Sequence, residues 1–211
     1  MRRLSPALVL AFLVAAPAAA QHRVDLFFDV EGVRRSRDVQ FQPDTVMYEP
    51  QFDRGGGLGG GVNVFFTSSV SLELKAAGLA SEMRVRRSGP DFVAIIDVGY
   101  VQIYPITALL QWHMTDQGSF RPYLGAGAGY VILRNIDKNV IGASAVEFED
   151  PIGFVVNGGV QIPFSKRFSV TADARYTPIE TESEVRFVGT TSVARIHVRP
   201  LIVSFGLAYH F

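Results

Sequence analysis

The amino-acid sequence predicts an all-β fold, an eight-stranded antiparallel up-and-down transmembrane β-barrel. Three observations carry this expectation. Segments with two unlike faces recur along the chain at a period of two, the signature of strands. The connections between them alternate long and short. The last eleven residues set an aromatic-rich row (Leu201, Val203, Phe205, Leu207, Tyr209, Phe211) against a smaller mixed row (Ile202, Ser204, Gly206, Ala208, His210). Such a face belongs either in a soluble core or against lipid, and the remaining features choose between them.

The first twenty residues set the compartment. Arg2 and Arg3 form a basic n-region, Leu8 to Ala16 an apolar h-region, and Ala18-Ala19-Ala20 a cleavage site of small residues. Residues 1–20 therefore read as a secretory signal peptide and residues 21–211 as one barrel domain. No later stretch has the roughly 18–20 apolar residues of a spanning helix. Cysteine is absent, which excludes disulfides and thiolate metal sites. Without Arg2 and Arg3 the chain has 18 basic and 20 acidic residues, a net charge of about −2. That gives no basic field and no case for nucleic acid.

The strands follow in order. Val24 to Glu31 sets Val24, Leu26, Phe28 and Val30 against Asp25, Phe27, Asp29 and Glu31. Gly59 to Thr67 sets Val62, Val64 and Phe66 against Gly61, Asn63 and Phe65. Val70 to Ala80 carries Ser71, Glu73 and Lys75 on its polar row. Val93 to His113 is long, with Tyr104, Ile106, Ala108, Leu110 and Trp112 in register. Phe120 to Leu133 sets Leu124, Ala126, Ala128 and Tyr130 against Arg121, Tyr123 and three glycines. Pro151 to Pro163, Phe168 to Pro178 and the C-terminal strand complete the eight. Several run to ten residues or more, longer than the five or six usual in soluble sheets and enough to cross a bilayer.

The connections decide the class. Gly32–Leu58, Ser81–Phe92, Arg134–Asp150 and Ile179–Ile196 are long; Ser68-Ser69, Met114–Ser119 and Ser165–Arg167 are short. Four long loops at one end and three short turns at the other is the plan of a bacterial outer-membrane barrel, with apolar rows toward lipid and polar rows in the lumen. The expected location is the bacterial outer membrane, reached by Sec-type export.

Two blocks also resemble a known family. Pro105 to Asp116 (PITALLQWHMTD) and Phe120 to Tyr130 (FRPYLGAGAGY) are similar to the signature of the outer membrane protein W (OmpW) family, and Arg199 to Phe211 fits its closing strand. The resemblance implies a small eight-stranded barrel with a narrow, largely apolar lumen that passes small hydrophobic molecules. The glycine-rich run Arg54 to Gly61, expected in the first extracellular loop, departs from the family pattern.

Several residues are singled out. Asp25, Asp29, Glu31, Glu73, Lys75, Arg121, Asp173 and Arg175 fall on lumen faces, where buried charges need partners; they form either an internal salt-bridge network or a polar constriction. Gly125, Gly127 and Gly129 share the lumen face of one strand. They either leave space for a solute or make room for bulky neighbours such as Phe27, Phe65 or Tyr123. Pro105 gives the ladder no amide, marking either a bulge or a place where an apolar solute leaves sideways into lipid. Trp112, Tyr100, Tyr104, Phe120, Tyr123, Phe164, Phe168, Tyr209 and Phe211 are expected in interfacial girdles. Tyr209 and Phe211 also resemble the signal read by barrel-assembly machinery. Arg34, Arg35, Arg37, Arg84, Arg86 and Arg87 lie in long loops, either solvated or facing lipopolysaccharide phosphates.

An enzyme reading finds little. His22 and His210 lie near the termini, His113 abuts a short turn, and His197 has no serine on its own strand face. No histidine pair has metal-ligand spacing, and no cofactor is expected. The leading expectation is a narrow channel for small hydrophobic molecules. The alternative is a non-conducting barrel with a filled lumen, whose loops bind envelope components or partners.

Overall fold

A computed structural model describes residues 23–34, 47–89, 92–115, 118–135, 143–148, 152–187, 190–198 and 201–211. Residues 1–20, expected as a signal peptide, and Arg35 and Arg37 lie outside these residues. Eight antiparallel strands close into a barrel, and three more form a separate small sheet. In chain order they are β1 (Val24–Arg34), β2 (Met47–Phe65), β3 (Val70–Gly89), β4 (Phe92–His113), β5 (Arg121–Asn135), β6 (Ala143–Phe148), β7 (Ile152–Pro163), β8 (Phe168–Tyr176), β9 (Ile179–Phe187), β10 (Thr190–Val198) and β11 (Leu201–His210). Around the wall the order is β1, β11, β8, β7, β5, β4, β3, β2. The first and last strands pair over ten residues, from Asp25↔His210 to Arg34↔Leu201, so the wall has no free edge.

Alternation decides which side each residue takes. On β1, Phe28 is 74% exposed while Asp25, Asp29 and Glu31 are buried. On β11, Phe205 and Leu207 point outward and Ile202, Ser204 and Ala208 inward. The aromatic-rich row thus meets lipid. At the short-turn end Trp112, Phe120, Phe164, Phe168 and Phe211 are exposed, forming a girdle. Tyr123 departs from that expectation: it is buried in the lumen, because it shares the parity of Gly125 and Gly127.

The long connections are more ordered than periodicity suggests. The first does not reach Leu58, because β2 already begins at Met47. The glycine-rich run is therefore barrel wall and not loop, with Gly55 to Gly61 paired to β1 and β3. Most of Ser81–Phe92 is strand, since β3 and β4 run for 20 and 22 residues. At about 3.3 Å per residue and a tilt near 45°, β4 rises about 50 Å against a hydrocarbon core of about 30 Å. The β3–β4 hairpin therefore stands well clear of the bilayer. A bulge at Met83/Arg84 bends it; the opposing Gly99 has φ 97, a conformation that glycine adopts without a Cβ clash. Segments of the last two long connections form the sheet β10-β9-β6.

Candidate functional site in the barrel lumen

The lumen is layered. Nearest the short turns is a polar floor. The Arg23 guanidinium pairs with Asp25 at 2.7 Å, donates to Gln161 Oε1 at 3.1 Å and lies 4.3 Å from the Phe65 ring centroid. Phe65, His113 and Tyr123 pack beside it with ring centroids 4.7 and 5.4 Å apart, and Ser71 Oγ lies 2.9 Å from His113 Nε2.

Above the floor sits a plug of charges. Lys75 Nζ lies 2.7 Å from Asp29 Oδ2 and also pairs with Glu31. Arg175 Nη2 lies 2.7 Å from Glu73 Oε1, and its Nη1 donates to Thr107 Oγ1 at 2.7 Å. Gln111 donates to Glu73 at 2.7 Å and accepts from Asn63 at 2.8 Å. Asn157 and Tyr123 donate to Asp173 at 2.8 and 3.2 Å. Seven of the eight expected lumen charges are thus gathered into one interior, where pairing offsets the cost of removing each from water. Arg121 is not among them. It is half-buried at the short-turn rim, where its Nε reaches the Gly118 carbonyl at 3.4 Å. About 30 Å³ remains between these side chains, space for one or two waters.

Glycines make the plug fit. A Cβ on Gly59 would lie 2.5 Å from Asp29 Oδ1 and 2.7 Å from Glu31 Oε1. Gly61 gives space to Phe27 and Gly159 to Tyr123. Gly125, Gly127 and Gly129 do not serve the aromatics. A Cβ on Gly125 would meet Asn157 and Gln111, on Gly127 the Ala108–Leu109 backbone, and on Gly129 Val155 and Thr107. Their space is taken by neighbours.

Beyond the plug, toward the long connections, the lining turns apolar. Val33, Leu79 and Ile202 form a buried cluster with Ile103 packed against it. The change occurs over two steps of the inward row, from Lys75↔Thr107 past Ala77 and Pro105 to Leu79↔Ile103. Pairing across the wall is interrupted in that same interval. The β3–β4 ladder passes from Ala76↔Ile106 directly to Leu79↔Ile103, in unchanged register, leaving Ala77, Gly78, Tyr104 and Pro105 unpaired across this seam. Pro105 has no amide to give, whereas on its other side it stays in register with Val131 of β5.

One constellation escaped the sequence. Ser169 Oγ lies 2.6 Å from His210 Nε2, and His210 Nδ1 lies 2.7 Å from Asp25 Oδ1. The three come from β8, β11 and β1, and only the closing register brings them together, so linear spacing carried no signal. The order of groups is that of a hydrolytic triad, but the surroundings are not. Ser169 is 0% exposed, and it is paired on both sides, to Pro163 and Ala208. Neighbouring amides thus serve the ladder rather than an oxyanion. The arrangement joins three strands at the seam.

The OmpW family model matches residues 30–211. The chain is 27% identical over 153 residues to the "Uncharacterized outer-membrane protein y4mB" of Sinorhizobium fredii, a match covering 71% of this chain and 63% of that protein's length. It is 25% identical over 159 residues to outer membrane protein W of Vibrio cholerae, covering 73% of each. Among solved structures, the outer membrane protein OprG of Pseudomonas aeruginosa superposes with a TM-score of 0.69 at 18% identity, over 90% of this chain and 95% of that one. This last likeness is one of fold.

Proposed function

The chain belongs to the OmpW family of outer-membrane β-barrels, and from that premise we propose that it is a narrow conduit for small hydrophobic molecules that leave sideways. One observation carries this reading: the lining changes from apolar to charged at the level where the β3–β4 seam is unpaired beside Pro105. An apolar solute arriving from the long-loop end is accommodated by Val33, Leu79, Ile103 and Ile202. Going deeper, it would have to displace paired charges, which cost several kcal/mol each to strand. Going sideways, it meets a wall whose ladder lacks the bond of the Pro105 amide and, beyond it, lipid.

The filled floor favours a second reading, a non-conducting barrel whose loops bind envelope components such as lipopolysaccharide. Uptake of a hydrophobic solute into vesicles separates them. In the conduit, Pro105→Ala supplies an amide to the seam and slows uptake. Uptake by the wild type no faster than by protein-free vesicles, or unchanged uptake in Pro105→Ala, overturns it.

A further inference from the structure

The short-turn rim carries a feature that neither lumen nor seam uses. Between β7 and β8 the chain turns through residues 164–167, and the turn is closed from within. Ser165 Oγ accepts from the amides of Arg167 and Phe168 at 3.2 and 3.0 Å, and the Phe168 carbonyl accepts from Phe164 and Ser165. Lys166 and Arg167 are left exposed at its tip. Directly alongside runs a ladder of rings on the outer wall. Phe164 stacks on Phe168 with centroids 6.2 Å apart, Phe168 meets Tyr209 edge-on at 5.1 Å, and Tyr209 meets Phe211 at 4.8 Å. Arg167 Nη1 lies 3.5 Å from the Tyr209 hydroxyl, at the polar end of the ladder.

We propose that this turn and ladder bind an anionic phospholipid of the periplasmic leaflet, with the rings against its glycerol and upper acyl region and Lys166 and Arg167 on its phosphate. Aromatic belts mark the depth of the headgroups, so cations just beyond the ladder stand at phosphate level. Charge complementarity selects the ligand, since a planar guanidinium and an ammonium together match a phosphodiester. The other short turns offer less among the described residues. Ser68 and Ser69 carry no charge, and Arg121 is half-buried against Gly118.

Native mass spectrometry of the full barrel from phosphatidylcholine membranes doped with phosphatidylglycerol tests this. Wild type retains the anionic lipid in preference to the zwitterionic one by about thirtyfold, given about 1 kcal/mol for each of the two cations at an anionic surface. The preference falls as salt rises, a readout that needs no variant. K166Q/R167Q, checked for folding by heat-modifiable migration, loses the preference, and R84Q at the opposite end keeps it. Equal retention by K166Q/R167Q and wild type, salt-independent retention, or stripping of the lipid by dilute inorganic phosphate overturns the proposal.

Discussion

Arg175 on β8 reaches Glu73 on β3, Nη2 to Oε1 at 2.7 Å, across the full width of the barrel. In the closed order these strands are four steps apart by either route around the wall. The pair is therefore a strut between opposite walls, and both partners are buried.

Removing one end strands the other. Arg175→Met leaves Glu73 and Asp173 short of a cation and is expected to cost about 3–5 kcal/mol. The double variant Arg175→Met with Glu73→Gln removes both charges and returns toward wild type. Urea unfolding in vesicles, followed by the fluorescence of Trp112, the sole tryptophan in the sequence, measures both. A double variant as unstable as the single would contradict the strut.

Gly59 is fixed by space. Gly59→Ala pushes a methyl into the carboxylates of Asp29 and Glu31 and is expected to destabilise by about 1–3 kcal/mol, the range for overpacking. Gly32→Ala, whose nearest neighbour is the Val203 carbonyl at 3.9 Å, is the control and stays within about 0.5 kcal/mol. The same unfolding assay ranks them.

His210→Ala breaks the join between β1, β8 and β11: it leaves buried Ser169 without the imidazole and Asp25 with Arg23 alone as its ionic partner. A loss of about 1–3 kcal/mol is expected for the stranded buried groups. Ser169 is expected not to react with a fluorophosphonate probe, because it is closed off from solvent. Labelling that disappears in Ser169→Ala would restore the hydrolytic reading.

Phe211 is 72% exposed, and its amide bonds to the Val24 carbonyl at 3.0 Å. Its side chain thus adds little to the folded interior. Deleting Phe211 is expected to lower the amount of heat-modifiable barrel in the membrane while leaving the stability of whatever folds nearly unchanged. Normal amounts in the deletion variant would show that assembly does not read this residue.

Periodicity of two made the barrel legible, because each strand must show one face to lipid and one to the lumen. Parity alone put Asp25, Glu73, Lys75 and Arg175 inside. What it could not supply was reach around the wall. Arg121 has the correct parity but sits too near the rim to join the plug. Ser169 and His210 are 41 residues apart, and only the register of β11 on β8 brings them within 2.6 Å. Glycine misled for a physical reason. Gly55 to Gly61 read as loop, since glycine weakens strands, yet in this wall it is the residue that lets Phe27 and the Lys75 cluster fit.

The layering of the lumen also gives the barrel a direction. Among the described residues, a molecule approaching from the long-loop end meets the cluster of Val33, Leu79 and Ile202 before the plug of charge; one approaching from the short-turn end meets Arg23 and Asp25 at once. For an apolar molecule the first approach runs downhill before it climbs, and the second begins with the climb. The two mouths are therefore inequivalent before any part moves, and the asymmetry is set by which charges were threaded onto the inward row of each strand.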